Sequence, residues 1–356
     1  MKFLTFSPWN AGFNNVLMSY ELASALAHIT NRVLVLPRKI CVPFTSSQQN
    51  DKTTWHELDN LIDMTNALYT DEVFKSKDIE GAGSYTAHMS SIADAYIYKP
   101  QKKALCEDYS VFVNNIHTYI KEEDFFKFSD GRFIEDLNRR ETYLHFENCL
   151  FGQFTYHVYP GGVDNRNKLK NKINQQFSYK QTFFDQAKYV KSTIGSYNSL
   201  HLRRNDFLQF QKENIETTVA TGEKLLQAIK EIFPNRLPIY IATDETNYDF
   251  FKPIRKEYDI YFWQDFGLPG IDLEKIVLEQ CICENSEYFI GTYFSTFTKR
   301  INILRGLNKK QAMDYGGINK IHKKNNIEHY KSYPWFYRPS KQWHWHDSSY
   351  LQWCME

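Results

Sequence analysis

The strongest constraint on the fold is a regular alternation in the second half of the chain. Short apolar runs at 198–202, 238–242, 259–263 and 287–290 are separated by stretches of helical period at about 216–233, 245–257 and 272–284. Strands that are apolar on both sides must be covered on both faces, and a β–α–β repeat supplies that cover with its own crossover helices. The pattern therefore predicts a doubly wound parallel sheet. The first residues repeat it once, with a strand at 2–6, a helix at 16–30 that is apolar nearly all round, and a buried strand at 32–36. At 356 residues and 42% hydrophobic content the chain can fill two cores. The expectation is two α/β domains, with an elaborated N-terminal Rossmann-like domain over 1–194 and a C-terminal one over 195–356. That second domain ends in an aromatic tail rich in Trp, Tyr and His from 325 on. Between 38 and about 190 the periodicity is too weak to order the elements.

Charge excludes several partners. With 43 basic against 42 acidic side chains the formal charge is +1, so no global field draws the chain to nucleic acid or anionic lipid. Anion binding, where it occurs, must be local. No apolar run reaches membrane length, and the opening Met1–Phe6 run is too short for a signal-peptide core, so the expected location is the cytoplasm. The six cysteines are scattered and read as buried free thiols.

In an open parallel sheet, ligands bind beyond the carboxyl ends of the strands, where helix N-termini and loop amides converge. Three strand ends in the second half carry unusual residues. Ser199-Leu200-His201-Leu202 runs into Arg203-Arg204-Asn205-Asp206, Ile241-Ala242 into Thr243-Asp244-Glu245, and Phe289-Ile290-Gly291 into Thr292 and Ser295-Thr296-Phe297. An arginine leaving a strand end can grip a pyrophosphate with its planar fork and stabilise charge on a departing diphosphate. The competing reading is an Arg-Asp pair that closes a turn. Because adjacent side chains on extended backbone point opposite ways, one arginine should face a ligand and the other its neighbours. Ser295-Thr296 opens a helical stretch, where hydroxyls and free N–H groups make an anion cradle or a plain cap. The first loop, Gly12-Phe13-Asn14-Asn15, also joins a strand to a helix but lacks the G-x-G-x-x-G fingerprint of dinucleotide sites.

Metal and nucleophile motifs are missing. There is no Asp-x-Asp pair, no G-x-S-x-G elbow and no His-Glu-x-x-His. No metal ligand set and no cofactor are expected. His344-Trp345-His346-Asp347 reads as part of a packed or exposed aromatic segment.

Taken together, the Gly12-Phe13-Asn14-Asn15 loop with Asn31–Pro37, the His201–Asp206 run, Ile241-Ala242-Thr243-Asp244, and Phe289–Thr292 with Ser295-Thr296-Phe297 resemble the GDP-fucose protein O-fucosyltransferases and the related α1,2- and α1,6-fucosyltransferases. The resemblance implies a GT-B fold, two Rossmann-like domains facing across a cleft. It also implies inverting, metal-independent transfer of fucose from GDP-fucose to a hydroxyl of a protein or glycan acceptor. The alternatives are another nucleotide sugar on the same fold, or a homologue that binds a sugar nucleotide without turnover. Under the resemblance Arg203 holds the β-phosphate and assists its departure, and His201 contacts the ribose or phosphate. Asn15 and the Gly12, Phe13 and Asn14 loop approach the diphosphate. Asp244, Ser295, Thr296 and Phe297 complete the donor site, with Asp272 as partner to guanine N1–H and its exocyclic amine. Some family members carry a glutamate as catalytic base just before the loop glycine, where this chain has Ala11. The acceptor proton then goes to Asp206, to His201, or to an oxygen of the departing diphosphate, and the last is the favoured expectation.

Overall fold

The computed structural model describes residues 2–7, 12–37, 39–42, 55–63, 97–98, 105–106, 122–129, 138–147, 150, 173–204, 221–268, 273–292 and 295–307. Asp206, Asp272, Ala11 and the aromatic tail lie outside the described residues. The chain divides into two compact units, Met1–Lys180 and Gln181–Glu356.

The first unit begins with β1 (Phe3–Ser7), α1 (Phe13–Ile29) and β2 (Val33–Pro37), the expected β–α–β unit shifted by a residue or so at most ends. Helix α1 is buried on almost every side from Phe13 to Ala27. The turn into β2 uses Asn31 at φ 51°, a left-handed conformation that asparagine tolerates well. Arg32, 2% exposed, then donates to the carbonyls of Arg139, Glu141 and Thr142 and ties this turn to the segment that leads into the strand Tyr143–Glu147. Short strands β3 (Lys39–Cys41) and β4 (Trp55–Glu57) pair with each other. The main sheet also holds β5 (Ile97–Tyr98), β6 (Leu105–Cys106), β7 (Phe125–Phe128) and β8 (Tyr143–Glu147), in the order β5-β2-β1-β8-β7, with β6 paired to β2 off that path. All of its pairs are parallel except β2 with β5.

The second unit opens with helix α2 (Gln181–Ile194), so the division falls one helix before the pattern change near 194. Its sheet comprises β9 (Asn198–Leu202), β10 (Ile239–Thr243), β11 (Ile260–Tyr261) and β12 (Phe289–Gly291), in the order β11-β10-β9-β12 and parallel throughout. Every residue of β9 is buried, as a strand covered on both faces requires. Helix α3 (Gly222–Ile232) presents Leu225, Ala228 and Ile229 at helical spacing to Leu200, Ile241 and Ile254 in one apolar core. Each such aliphatic side chain contributes about 1.5–3 kcal/mol by leaving water. Thr221 caps the helix by accepting from the Lys224 N–H at 3.3 Å.

The helix expected at 245–257 is instead a 3₁₀ turn over Tyr248–Phe251 followed by α4 (Lys252–Arg255). Pro253 explains the difference, because it has no N–H for a helix arriving from 245 but fits the first turn of a new one. Helix α5 (Leu273–Glu284) is buried all round through its second half, and α6 (Thr296–Leu307) packs against it. Arg305 of α6 closes the end of α5 by donating to the carbonyls of Cys283 and Glu284, each at 2.9 Å, where carbonyls have no partner within the helix. Among the described residues no helix is long and apolar enough to cross a membrane.

Candidate functional site

In the second unit, β9, β10 and β11 succeed one another in one direction across the sheet, while β12 returns to the other side of β9. The order therefore reverses between β9 and β12. Beyond the carboxyl ends of the strands at such a reversal the flanking loops part and leave a crevice. The His201 and Gly291 backbones stand opposite each other there. The sequence reasoning placed its ligand residues along this edge, and the structure brings His201, Arg203, Asp244, Ser295, Thr296 and Phe297 to it.

Thr292 ties the two strand ends together. Its N–H and its hydroxyl both donate to the His201 carbonyl at 3.0 Å, and its Oγ1 accepts from the Arg203 N–H at 2.9 Å. Arg203 leaves the strand half-buried, and its charge is close enough to bear on His201. His201 is 6% exposed, hydrogen-bonded through Nδ1 to Thr298 Oγ1 at 2.7 Å and stacked on Phe297 with ring centroids 4.3 Å apart. Burial, reinforced by the Arg203 charge, pushes its pKa down to about 3. It is neutral at physiological pH and a poor proton sink.

Ser295 precedes the first turn of α6 and is fully buried, yet its hydroxyl has no hydrogen-bond partner among the described residues. A buried hydroxyl without a partner costs about 1–3 kcal/mol, so a group that answers it would be bound with that much in its favour. Beside it, the first N–H groups of α6 have no carbonyl within the helix to bind. A hydroxyl without a partner among the described residues, a helix N-terminus and an arginine meet at one sheet reversal, a combination whose chemistry suits a polyanion.

The two arginines are separated by their surroundings. Arg204 donates its backbone N–H to Asp244 Oδ1 at 2.6 Å, pairs through Nε with Glu245 at 2.5 Å, and lays its guanidinium over the Phe250 ring 3.9 Å from the centroid. It is the arginine that faces its neighbours. Asp244, grouped by sequence with the donor-binding residues, spends one carboxylate oxygen on that backbone contact.

Sequence reasoning passed over Glu279. It stands on α5, 7% exposed, and accepts from the Tyr240 hydroxyl at 3.2 Å. Burial pushes its carboxyl up to about 7 against the opposing pull of Lys275 and Tyr240, and the Asp244 charge adds to the rise. Its sequence signal was an acid set among Val277, Leu278, Cys281 and Ile282, all buried.

In the first unit, Gly12 caps α1 with no side-chain hydrogen bond. Asn15 Oδ1 is buried without a partner among the described residues, while Asn14 is 8% exposed. Phe13 is 2% exposed, so its ring belongs to the core of the unit and its backbone N–H is the group it offers a ligand.

The family profile described as GDP-fucose protein O-fucosyltransferase matches residues 3–308. Over 113 residues the chain is 30% identical to GDP-fucose protein O-fucosyltransferase 2 of Drosophila melanogaster, covering 30% of this chain and 23% of that protein. The enzyme of the same name from Plasmodium berghei is 24% identical over 303 residues, covering 75% of this chain and 62% of the other. The matches thus span less than two thirds of the length of these curated relatives. The solved structure of POFUT1 in complex with GDP superposes with a TM-score of 0.50 at 11% identity, covering 87% of this chain and 97% of that one, a likeness of fold. With the profile running from β1 to the end of α6, the chain belongs to the GDP-fucose protein O-fucosyltransferase family.

Proposed function

We propose that this chain transfers fucose from GDP-fucose to a hydroxyl of a protein or glycan acceptor, with inversion at the anomeric carbon and without a metal ion. The observation that carries this reading is the sheet reversal where Thr292 bonds the backbone N–H groups of both Arg203 and Ser295, whose hydroxyl has no partner among the described residues and which precedes the N-terminus of α6. As the glycosidic bond breaks, negative charge collects on the β-phosphate. Donors fixed before the reaction stabilise that charge without having to reorganise. Arg203 supplies the compensating cation, the task that a divalent ion performs where an Asp-x-Asp pair holds one. Asp272, the acid that the resemblance offers to guanine N1–H and its exocyclic amine, lies outside the described residues.

The proton of the acceptor alcohol needs a sink only as the new bond forms. His201, with a pKa of about 3 and Nδ1 engaged by Thr298, is ill suited to the role. An oxygen of the departing diphosphate takes the proton in our reading, with Asp206 as the competing base. The reading is tested by incubating the full chain with GDP-fucose, GDP-mannose and UDP-sugars, and by screening labelled GDP-fucose against protein and glycan acceptors. Release of GDP and transfer of label from GDP-fucose alone support it. Turnover restricted to a UDP-sugar, or binding of GDP-fucose without any release of GDP, overturns it.

A further inference from the structure

The turn that follows β9 is held from both sides. From β12, Thr292 fixes the Arg203 N–H. From β10, Thr243 Oγ1 donates to the Leu202 carbonyl at 2.6 Å and accepts from the Glu245 N–H at 3.0 Å, so the two strand ends are joined just before both turns begin. Asp244 then takes the Arg204 N–H, and Glu245 takes the Arg204 side chain through Oε2 while its Oε1 accepts from the Asn247 N–H at 2.8 Å. Both members of this ion pair are nearly buried, with side-chain exposures of 13% and 11%. Phe250, under the guanidinium, meets Phe251 edge-on at 5.1 Å, and Phe251 is 1% exposed in the core. Arg204 is thus connected, through charge on one side and ring contact on the other, to the rigid interior of the unit.

We propose that Arg204 is a positioning residue for the transfer reaction. Its guanidinium, clamped by Glu245 and Phe250, fixes the turn so that Arg203 is presented to the donor diphosphate, and Arg204 itself does not touch the donor. This rests on the reading of Arg203 as the diphosphate ligand. The physical reason is that Thr292 and Asp244 hold the two successive N–H groups, so an Arg204 side chain locked toward the β10 side takes away the remaining freedom of the backbone that carries Arg203. A catalytic group displaced by about 1 Å can lose on the order of 10²-fold in rate.

The test uses the full chain with Arg204→Met, Glu245→Gln, Arg203→Ala and the double variant Arg203→Ala/Arg204→Met. GDP release from GDP-fucose is followed for the single variants. GDP affinity is measured calorimetrically for all of them, with thermal melting as the check on folding. Arg204→Met retains a side chain to cover Phe250 and should lower kcat by about 10- to 100-fold, with a smaller rise in KM. Glu245→Gln should move kcat in the same direction by less. If Arg204 acts through Arg203, the weakening of GDP binding caused by Arg204→Met in the wild-type background should vanish once Arg203 is alanine. Wild-type kcat in Arg204→Met overturns the proposal. So does an equal loss of GDP affinity in both backgrounds, which would mean that Arg204 contacts the ligand independently. Should Arg204→Met fail to fold, Glu245→Gln takes its place in the cycle against Arg203→Ala, with the same two outcomes. Arg203→Ala at wild-type rate and affinity would overturn the underlying reading instead, and that result is visible before the cycle is read.

Discussion

Gly291→Ala should damage the site from inside the sheet. A Cβ at Gly291 would meet the Thr298 side chain, with Oγ1 at 2.5 Å, and Phe289 Cζ at 2.9 Å. Thr298 is a β-branched residue in the first turn of α6, 6% exposed, and has little rotamer freedom with which to withdraw. Overpacking of this kind costs about 1–3 kcal/mol. If Thr298 yields, its hydroxyl leaves His201 Nδ1 without a partner in a buried place, at about 1–3 kcal/mol more. The sum is about 2–6 kcal/mol, with GDP affinity falling because His201, Phe297 and the start of α6 move together. Hydrogen exchange read by mass spectrometry over 198–204 and 289–292 localises the effect, and 2 kcal/mol corresponds to about 30-fold faster exchange. The companion Gly291→Ala/Thr298→Ala removes the closest obstruction and leaves Phe289 Cζ at 2.9 Å, so adding Gly291→Ala to Thr298→Ala should cost less than Gly291→Ala costs the wild type. Gly291→Ala with exchange within about twofold of wild type would refute the steric argument.

Arg203→Ala should lower GDP release from GDP-fucose by on the order of 10²–10³, and Arg203→Lys should restore little because an ammonium lacks the planar fork; near-wild-type turnover would remove Arg203 from its role. Activity should survive excess EDTA, and complete loss that is restored by a divalent metal would place the chemistry in a different class of transferase. Glu279 carries a carboxyl whose folded pKa is raised from 4.5 to about 7, so relative to Glu279→Gln the wild type is most favoured below about pH 4.5 and loses stability as pH rises through 7. The full change is on the order of 3 kcal/mol. His201, neutral and lowered from 6.5 to about 3, acts oppositely by costing stability as pH falls, which is why the variant and wild type are compared at each pH. A difference between them that is flat from pH 4.5 to 8 would contradict the buried-carboxyl account.

Much of the site was legible because its residues sit at strand ends, where local sequence and fold rules agree. His201, Arg203, Ser295 and Phe297 follow or flank buried apolar runs, and the parallel order of β9, β10 and β12 gathers them. What could not be read depends on contacts distant in sequence. The pairing of Arg204 with Glu245 and Phe250, on another strand's loop, is one such contact. Glu279 gains its character from Tyr240, 39 residues away, and from burial that a helical period reports only as an apolar face. Helix α2 was assigned to the first domain because its sequence is amphipathic and ordinary, whereas its partner α5 lies 80 or more residues on.

The most direct test of the central claim is a crystal structure of the full chain with GDP-fucose or GDP bound. The account predicts the diphosphate at the reversal between β9 and β12, with the Arg203 guanidinium and the Ser295 hydroxyl within hydrogen-bond distance of its oxygens and Arg204 still paired with Glu245. A nucleotide bound elsewhere, or a diphosphate held by Arg204 with Arg203 turned away, would contradict it.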